Sequence, residues 1–189
     1  MKERIRDAGT RPAGDRLRPS TGLSEVVRRL REDRRAAFAV GGGVRDGLLG
    51  LPVAEWDVAT DAPPERVLEL FERTHPVGLE HGTVGVRVGG ETVEVTTFRS
   101  DVATDGRHAV VRFGASLEQD LARRDFTINA LAWDPVEGRI HDPFGGLDDL
   151  AAGRLATVGD PDRRLVEDYL RILRAFRFAA RFDLEVDPA

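Results

Sequence analysis

The stretch AFAVGGGVRDGLLGLPVAEWDVAT, residues 37–60, constrains the fold more than any other part of the chain. Ala36 to Val40 is a short apolar run that reads as a buried strand, and it ends abruptly at Gly41-Gly42-Gly43. Val44, Leu48 and Leu49 then recur at helical spacing, with Gly50 closing a short helix, and Glu55 to Thr60 reads as a second strand. Residues i and i+2 of a strand project to one side, so Glu55 and Asp57 share a face. Two carboxylates on one face repel unless a cation lies between them, and Mg²⁺ is the hard cation suited to them. The glycine turn offers backbone N–H groups at a helix start, which suits phosphate. Combined, these parts describe two-metal phosphoryl or nucleotidyl transfer. Taken singly, the acidic pair also fits a solvated strand face, and the glycines an ordinary tight turn.

The rest of the chain reads as alternating short strands and helices. Residues 1–22 are polar, basic and broken by Pro and Gly, so they are expected to form a disordered arm. Leu23, Val26, Val27 and Leu30 recur at helical spacing behind Ser20 or Thr21 as a cap. Pro64 to Phe71 reads as a helix opened by proline. Thr83 to Val88 and Thr92 to Phe98 are β-branched runs flanking Gly89-Gly90, a hairpin signal. Residues 99–114 lack periodicity and are expected to be a mobile loop. Ser116 is placed to cap a helix running to Arg123. Leu165, Tyr169, Ile172, Leu173 and Phe176 predict one long amphipathic helix over 161–182. Hairpin strands with segregated helices indicate an α+β fold, not a doubly wound sheet.

Composition narrows the functional classes. The 189 residues contain no cysteine, which excludes disulfide frameworks, thiolate metal sites and cysteine nucleophiles. No run approaches the ~18 apolar residues of a membrane span, so no membrane partner and a soluble cytoplasmic protein are expected. The net charge of −5 is uneven: residues 1–35 carry 11 basic and 6 acidic side chains. Lys2 is the only lysine among 28 basic residues. Arginine favours bidentate phosphate contacts, although genome composition produces the same bias. His75, His81, His108 and His141 have no metal-ligand spacing.

The run VGGGVRDGLLGLPVAEWDVATDAPPERVLELF resembles the head domain of class II tRNA nucleotidyltransferases (CCA-adding enzymes) and bacterial poly(A) polymerases, within the polymerase β-like superfamily. HGTVGV at 81–86, VEVTTFR at 93–99, LARRDFTINALAWDP at 121–135, HDPFGGLDDL at 141–150 and VEDYLRILRAFRFAARF at 166–182 resemble further family blocks in family order. The resemblance implies an α+β head with a mixed, largely antiparallel sheet over residues 23–157. It also implies the start of a helical neck over 158–189. Glu55 and Asp57 stand where the family has its Asp-x-Asp ligands of two Mg²⁺ ions, the implied catalytic pair. Gly41 and Gly42 match triphosphate-cradling glycines, followed by Arg45. Arg123, Arg124 and Asp125 match the Arg-Arg-Asp motif of ribose recognition, with Asn129 in the same nucleotide-binding block. Glu167, Asp168 and Arg171 match the Glu-Asp-x-x-Arg motif whose Asp and Arg template the incoming base. Glu94, on the VEVTT strand, is a candidate third carboxylate or an exposed side chain. If one helix spans 161–182, Asp168 shares a face with both Arg164 and Arg171. The implied partners are CTP, ATP and a tRNA 3′ end.

Two features depart from the family pattern. Glu55 replaces the usual leading Asp, and one methylene moves the carboxylate by ~1.5 Å against a metal spacing of ~3.5–4 Å. The family also continues past the templating helix into helical neck, body and tail regions that hold tRNA. The resemblance therefore implies addition of CMP and/or AMP to RNA. The other readings are a CC-adding or A-adding enzyme, a poly(A) polymerase, and a non-catalytic nucleotide- or RNA-binding module. The sequence sets no oligomeric state.

Overall fold

The structure, a computed structural model, describes residues 10–13, 16–78, 81–104 and 109–188. Its main sheet has eight strands: β1 (Thr10–Pro12), β2 (Ala37–Val40), β3 (Trp56–Thr60), β4 (Thr74–Gly78), β5 (Thr83–Val88), β6 (Glu91–Thr97), β9 (Ala132–Asp134) and β10 (Arg139–His141). They are ordered β1-β10-β9-β2-β3-β6-β5-β4. Every neighbouring pair is antiparallel except β3 with β6. Among the described residues seven α-helices flank the sheets: α1 (Thr21–Glu32), α2 (Gly42–Leu48), α3 (Pro64–Leu70), α4 (Leu117–Ala122), α5 (Gly146–Ala152), α6 (Pro161–Glu167) and α7 (Leu170–Phe182). The α+β expectation and its mixed, largely antiparallel sheet are met.

Strand alternation divides the molecule into two faces. On β3, Trp56 and Val58 enter a core that also holds Leu23, Val26, Val27 and Leu30 of α1 with Val67 and Phe71 at α3. Ala59 joins Val40, Phe98, Leu121 and Ala132 on the opposite side, the side to which Asp57 belongs by the strand period. One face of the central strands is thus sealed by α1 and α3. The other is only partly covered by α4, which leaves room for chemistry.

Several expectations need correction. The segment 1–22 is not uniformly an arm: β1 pairs with β10, and Ala13 and Leu17 are buried in the main core. Arg11 is also fixed by a bidentate pair with Asp148. Composition misled here because two apolar residues and one edge pairing suffice to hold the segment; residues 1–9 and 14–15 lie outside the described residues. The supposed loop 99–114 contains a second hairpin, β7 (Arg99–Thr104) with β8 (Ala109–Phe113), paired over its length with a bulge. Residues 105–108, including His108, lie outside the described residues. The single helix expected over 161–182 is two helices. Asp168 is extended, at φ −156° and ψ 106°, and its side chain accepts the Leu170 N–H at 2.9 Å. An aspartate that satisfies a helix-start N–H begins a new helix instead of continuing the old one. Finally, Glu55 lies one residue ahead of β3, outside the paired ladder.

Candidate functional site

Asp57 stands at the centre of the partly covered face. Antiparallel pairing sets it opposite Val40, the last residue before the glycine turn, and parallel pairing sets it opposite Glu94. Cross-strand partners share a face, so the Asp57 and Glu94 carboxylates are neighbours. Both are partly buried and Glu55 is exposed. The Asp57 carboxyl is pushed up to about 6, first by burial, then by Glu94, and to a lesser degree by Glu55; Arg124 pulls the other way. A carboxylate that resists its own charge in this manner is one that a bound cation relieves. Among the described residues no three His, Asp or Glu side chains are gathered closely enough to hold an ion unaided. Mg²⁺ takes one or two carboxylates and completes its shell with water and substrate phosphates, and Asp57 with Glu94 in register supplies such a pair.

The glycine turn forms the wall beside these acids. Gly41 has φ +70°, a conformation that side-chain-bearing residues rarely adopt. A Cβ there would come within 2.9 Å of an Arg124 Nη and 3.7 Å of an Asp57 oxygen. The absent side chain therefore keeps open the space between a carboxylate and a guanidinium. Gly42 starts α2, and Gly43 lies so close to Trp56 and the Glu55 carbonyl that a Cβ would collide. Arg124 donates to the Asn129 carbonyl and to Asp120, while its Nε–H is buried with no hydrogen-bond partner among the described residues. The guanidinium these acceptors hold lies against Gly41, and a cationic group in such a place suits an anionic ligand.

The remaining candidates form two groups. Arg123 joins the first: its side chain donates to Asp120, and its carbonyl accepts from Arg171 at 3.2 Å. Arg171 is buried and pairs with Glu167 at 2.8 Å, not with Asp168. The helix break is the reason, since it removes Asp168 from the α7 face. Arg164 likewise pairs with Glu167 and donates to the Ala122 carbonyl. The second group lies in the interior. Arg45 donates to Asn129 and Asp46 and sits 5.0 Å and 4.4 Å from the Phe178 and Phe182 ring centres. Asp125 accepts from Asn129 and from Arg174. Arg45, Asp125 and Asn129 are buried and engage one another, so the structure joins them to α7 instead of turning them outward. Asp120 and Arg174 were not among the sequence candidates. Asp120 had a readable signal, its i+3 and i+4 spacing to Arg123 and Arg124.

The chain is similar to known proteins in both sequence and fold. Residues 37–156 match the family described as the poly(A) polymerase head domain. A CCA-adding enzyme of Streptococcus pyogenes serotype M2 is 48% identical over 164 residues, covering 86% of this chain and 40% of that protein. The crystal structure of Bacillus stearothermophilus CCA-adding enzyme in complex with CTP superposes with TM-score 0.83 at 42% identity, covering 91% of this chain and 42% of that one. Thermotoga maritima CCA-adding enzyme, complexed with tRNA(CCA), superposes with TM-score 0.74 at 27% identity, covering 96% and 43%. The chain spans about two-fifths of the length of these relatives. With a match across most of its length, the chain belongs to the poly(A) polymerase head domain family.

Proposed function

We propose that this chain is the head of an RNA nucleotidyltransferase that adds CMP and/or AMP, from CTP and ATP, to the 3′ end of tRNA. The observation that carries this reading is the position of Asp57, between the in-register Glu94 carboxylate and the Arg124 guanidinium at the mouth of a side-chain-free glycine turn. A group that needs a cation and a group that needs an anion adjoin one open space, which is what a metal–triphosphate occupies. The nucleotide and tRNA in the relatives' complexes support the choice of substrates.

Glu55 and Asp57, with Glu94 beside them, would hold two Mg²⁺ ions. Bound there, the ions supply neutralisation of the triphosphate and acidification of the ribose hydroxyl. Glu55 precedes the paired ladder and is exposed, so its longer side chain would absorb the extra methylene by its choice of rotamer. Gly41 and Gly42 would admit the triphosphate, Arg124 would donate to it, and Arg123 would hold the ribose. Arg171, fixed by Glu167, and Asp168, whose second oxygen faces no helix cap, would read the base edge. Arg45, Asp125 and Asn129 support this wall from behind. Positioning and charge neutralisation make up most of the catalysis in such transfers.

The test is incorporation of labelled CTP and ATP into tRNA lacking its CCA end, into tRNA ending in CC and into an unrelated RNA, with Mg²⁺ or a chelator. Limited C and then A addition, abolished by chelator and by Asp57→Ala in a folded protein, is expected. Wild-type rates in Asp57→Ala would refute the site. Long A tails on any RNA would make the chain a poly(A) polymerase head. RNA retained without metal or turnover would make it a binding module.

A further inference from the structure

The most buried carboxylate near the site belongs to Asp120, on α4, and none of the roles above uses it. Its side chain is 1% exposed. One oxygen accepts the Arg99 backbone N–H at 3.3 Å and both Nε and Nη of Arg123 at 3.1 Å. The other oxygen accepts an Arg124 Nη at 3.4 Å. A single buried charge thus holds two adjacent guanidinium groups and the first residue of the β7–β8 hairpin. Its own helix is pinned by a capping box in which Ser116 and Gln119 bond each other's backbone N–H groups.

We propose that Asp120 is the positioning residue of the nucleotide pocket: it aims Arg123 and Arg124 at the substrate and ties them to the root of the β7–β8 hairpin. The proposal rests on the reading that this arginine pair contacts the nucleotide. Four donors reach Asp120 from three residues, so its position fixes the direction of both side chains. Arg124 is also held by the Asn129 carbonyl. The Nη that makes this bond is the one beside Gly41, so Asp120 and Asn129 together set the guanidinium against the glycine turn. Asp120 does no chemistry itself, and its influence passes through the arginines.

The experiment measures binding of labelled CTP and dCTP, with Mg²⁺, to the 189-residue chain by equilibrium dialysis, with folding followed by circular dichroism. Asp120→Asn keeps the shape and removes the charge. It is expected to weaken CTP binding about tenfold, the size of a lost charge-assisted hydrogen bond, and to lower the CTP:dCTP affinity ratio similarly. On an Arg123→Gln/Arg124→Gln background the same change is expected to cost less than about twofold, because the intermediaries are gone. Asp120→Glu keeps the ion pair but displaces it, so an intermediate ratio is expected; this variant carries the test should Asp120→Asn unfold. An unchanged ratio in a folded variant, or equal losses with and without the arginines, overturns the positioning role alone. A folded wild-type chain that binds no CTP overturns the nucleotide reading and the positioning role with it.

Discussion

With no cation present, the Asp57 carboxyl is held up at about 6, chiefly by burial and then by Glu94. The sign of the consequence follows from linkage. A carboxyl raised above its unfolded value of 3.8 contributes stability at pH below that value, and the contribution is lost as pH rises through about 6. In chelator, Asp57→Asn should therefore melt higher than wild type at pH 7, and the gap should narrow as pH falls to 4. Added Mg²⁺ should raise only the wild type, since the amide is a poor ligand for a hard cation. Scanning calorimetry at the two pH values, with and without metal, measures both effects; a gap independent of pH would mean that Asp57 carries no such strain. Gly41 has an equally local logic. Gly41→Ala strains a backbone at φ +70° and places a methyl group against Arg124, so it should cost about 1–2 kcal/mol of stability and also weaken nucleotide binding. Thermal melts and CTP dialysis on one sample separate the two losses.

Among the elements, α4 is short and its N-terminus decides its stability. Ser116 accepts the Gln119 N–H at 3.2 Å and Gln119 accepts the Ser116 N–H at 2.9 Å. Ser116→Ala should cost about 1 kcal/mol in urea unfolding, with an unchanged denaturant slope. This cap was legible in the sequence, as were the glycine hairpin turn and the strand carrying Asp57. In each case a local signal, a cap, a turn or a two-residue alternation, coincides with the tertiary outcome. The β7–β8 hairpin was not legible, because its strands form a separate two-stranded sheet and lack the alternation a buried face imposes. The break at Asp168 was hidden for the opposite reason: helical periodicity runs through it, and only the side-chain bond to Leu170 shows that the helix restarts. The site follows the same rule. Asp57 was readable from the strand pattern, whereas Glu55 falls outside the strand on which its spacing argument relied, and the in-register meeting of Asp57 with Glu94 depends on the β3–β6 pairing, a parallel contact between distant segments.

At the scale of the whole molecule, α7 carries an apolar stripe without a covering layer among the described residues. Tyr169, Leu170, Leu173 and Phe176 are all more than half exposed on or beside α7. They recur at helical spacing, so they form one stripe. A contiguous patch of this kind captures hydrophobic dye and promotes association. Leu173→Glu with Phe176→Glu should abolish dye binding and leave the melting temperature nearly unchanged, as fluorescence titration and melts would show; persistent dye binding would place the apolar surface elsewhere. The other side of the same helix behaves differently. Phe178 packs edge-on against Phe126 at 5.7 Å within a cluster that includes Ile128 and Leu155, and its ring also faces Arg45 behind the glycine turn. The boundary near residue 157 that the sequence suggests is therefore not a line of weakness in the solid. For protein engineering, this means that the segments on its two sides are not interchangeable cassettes. A chimera joined at that boundary would need a graft that also carries a partner for Phe126.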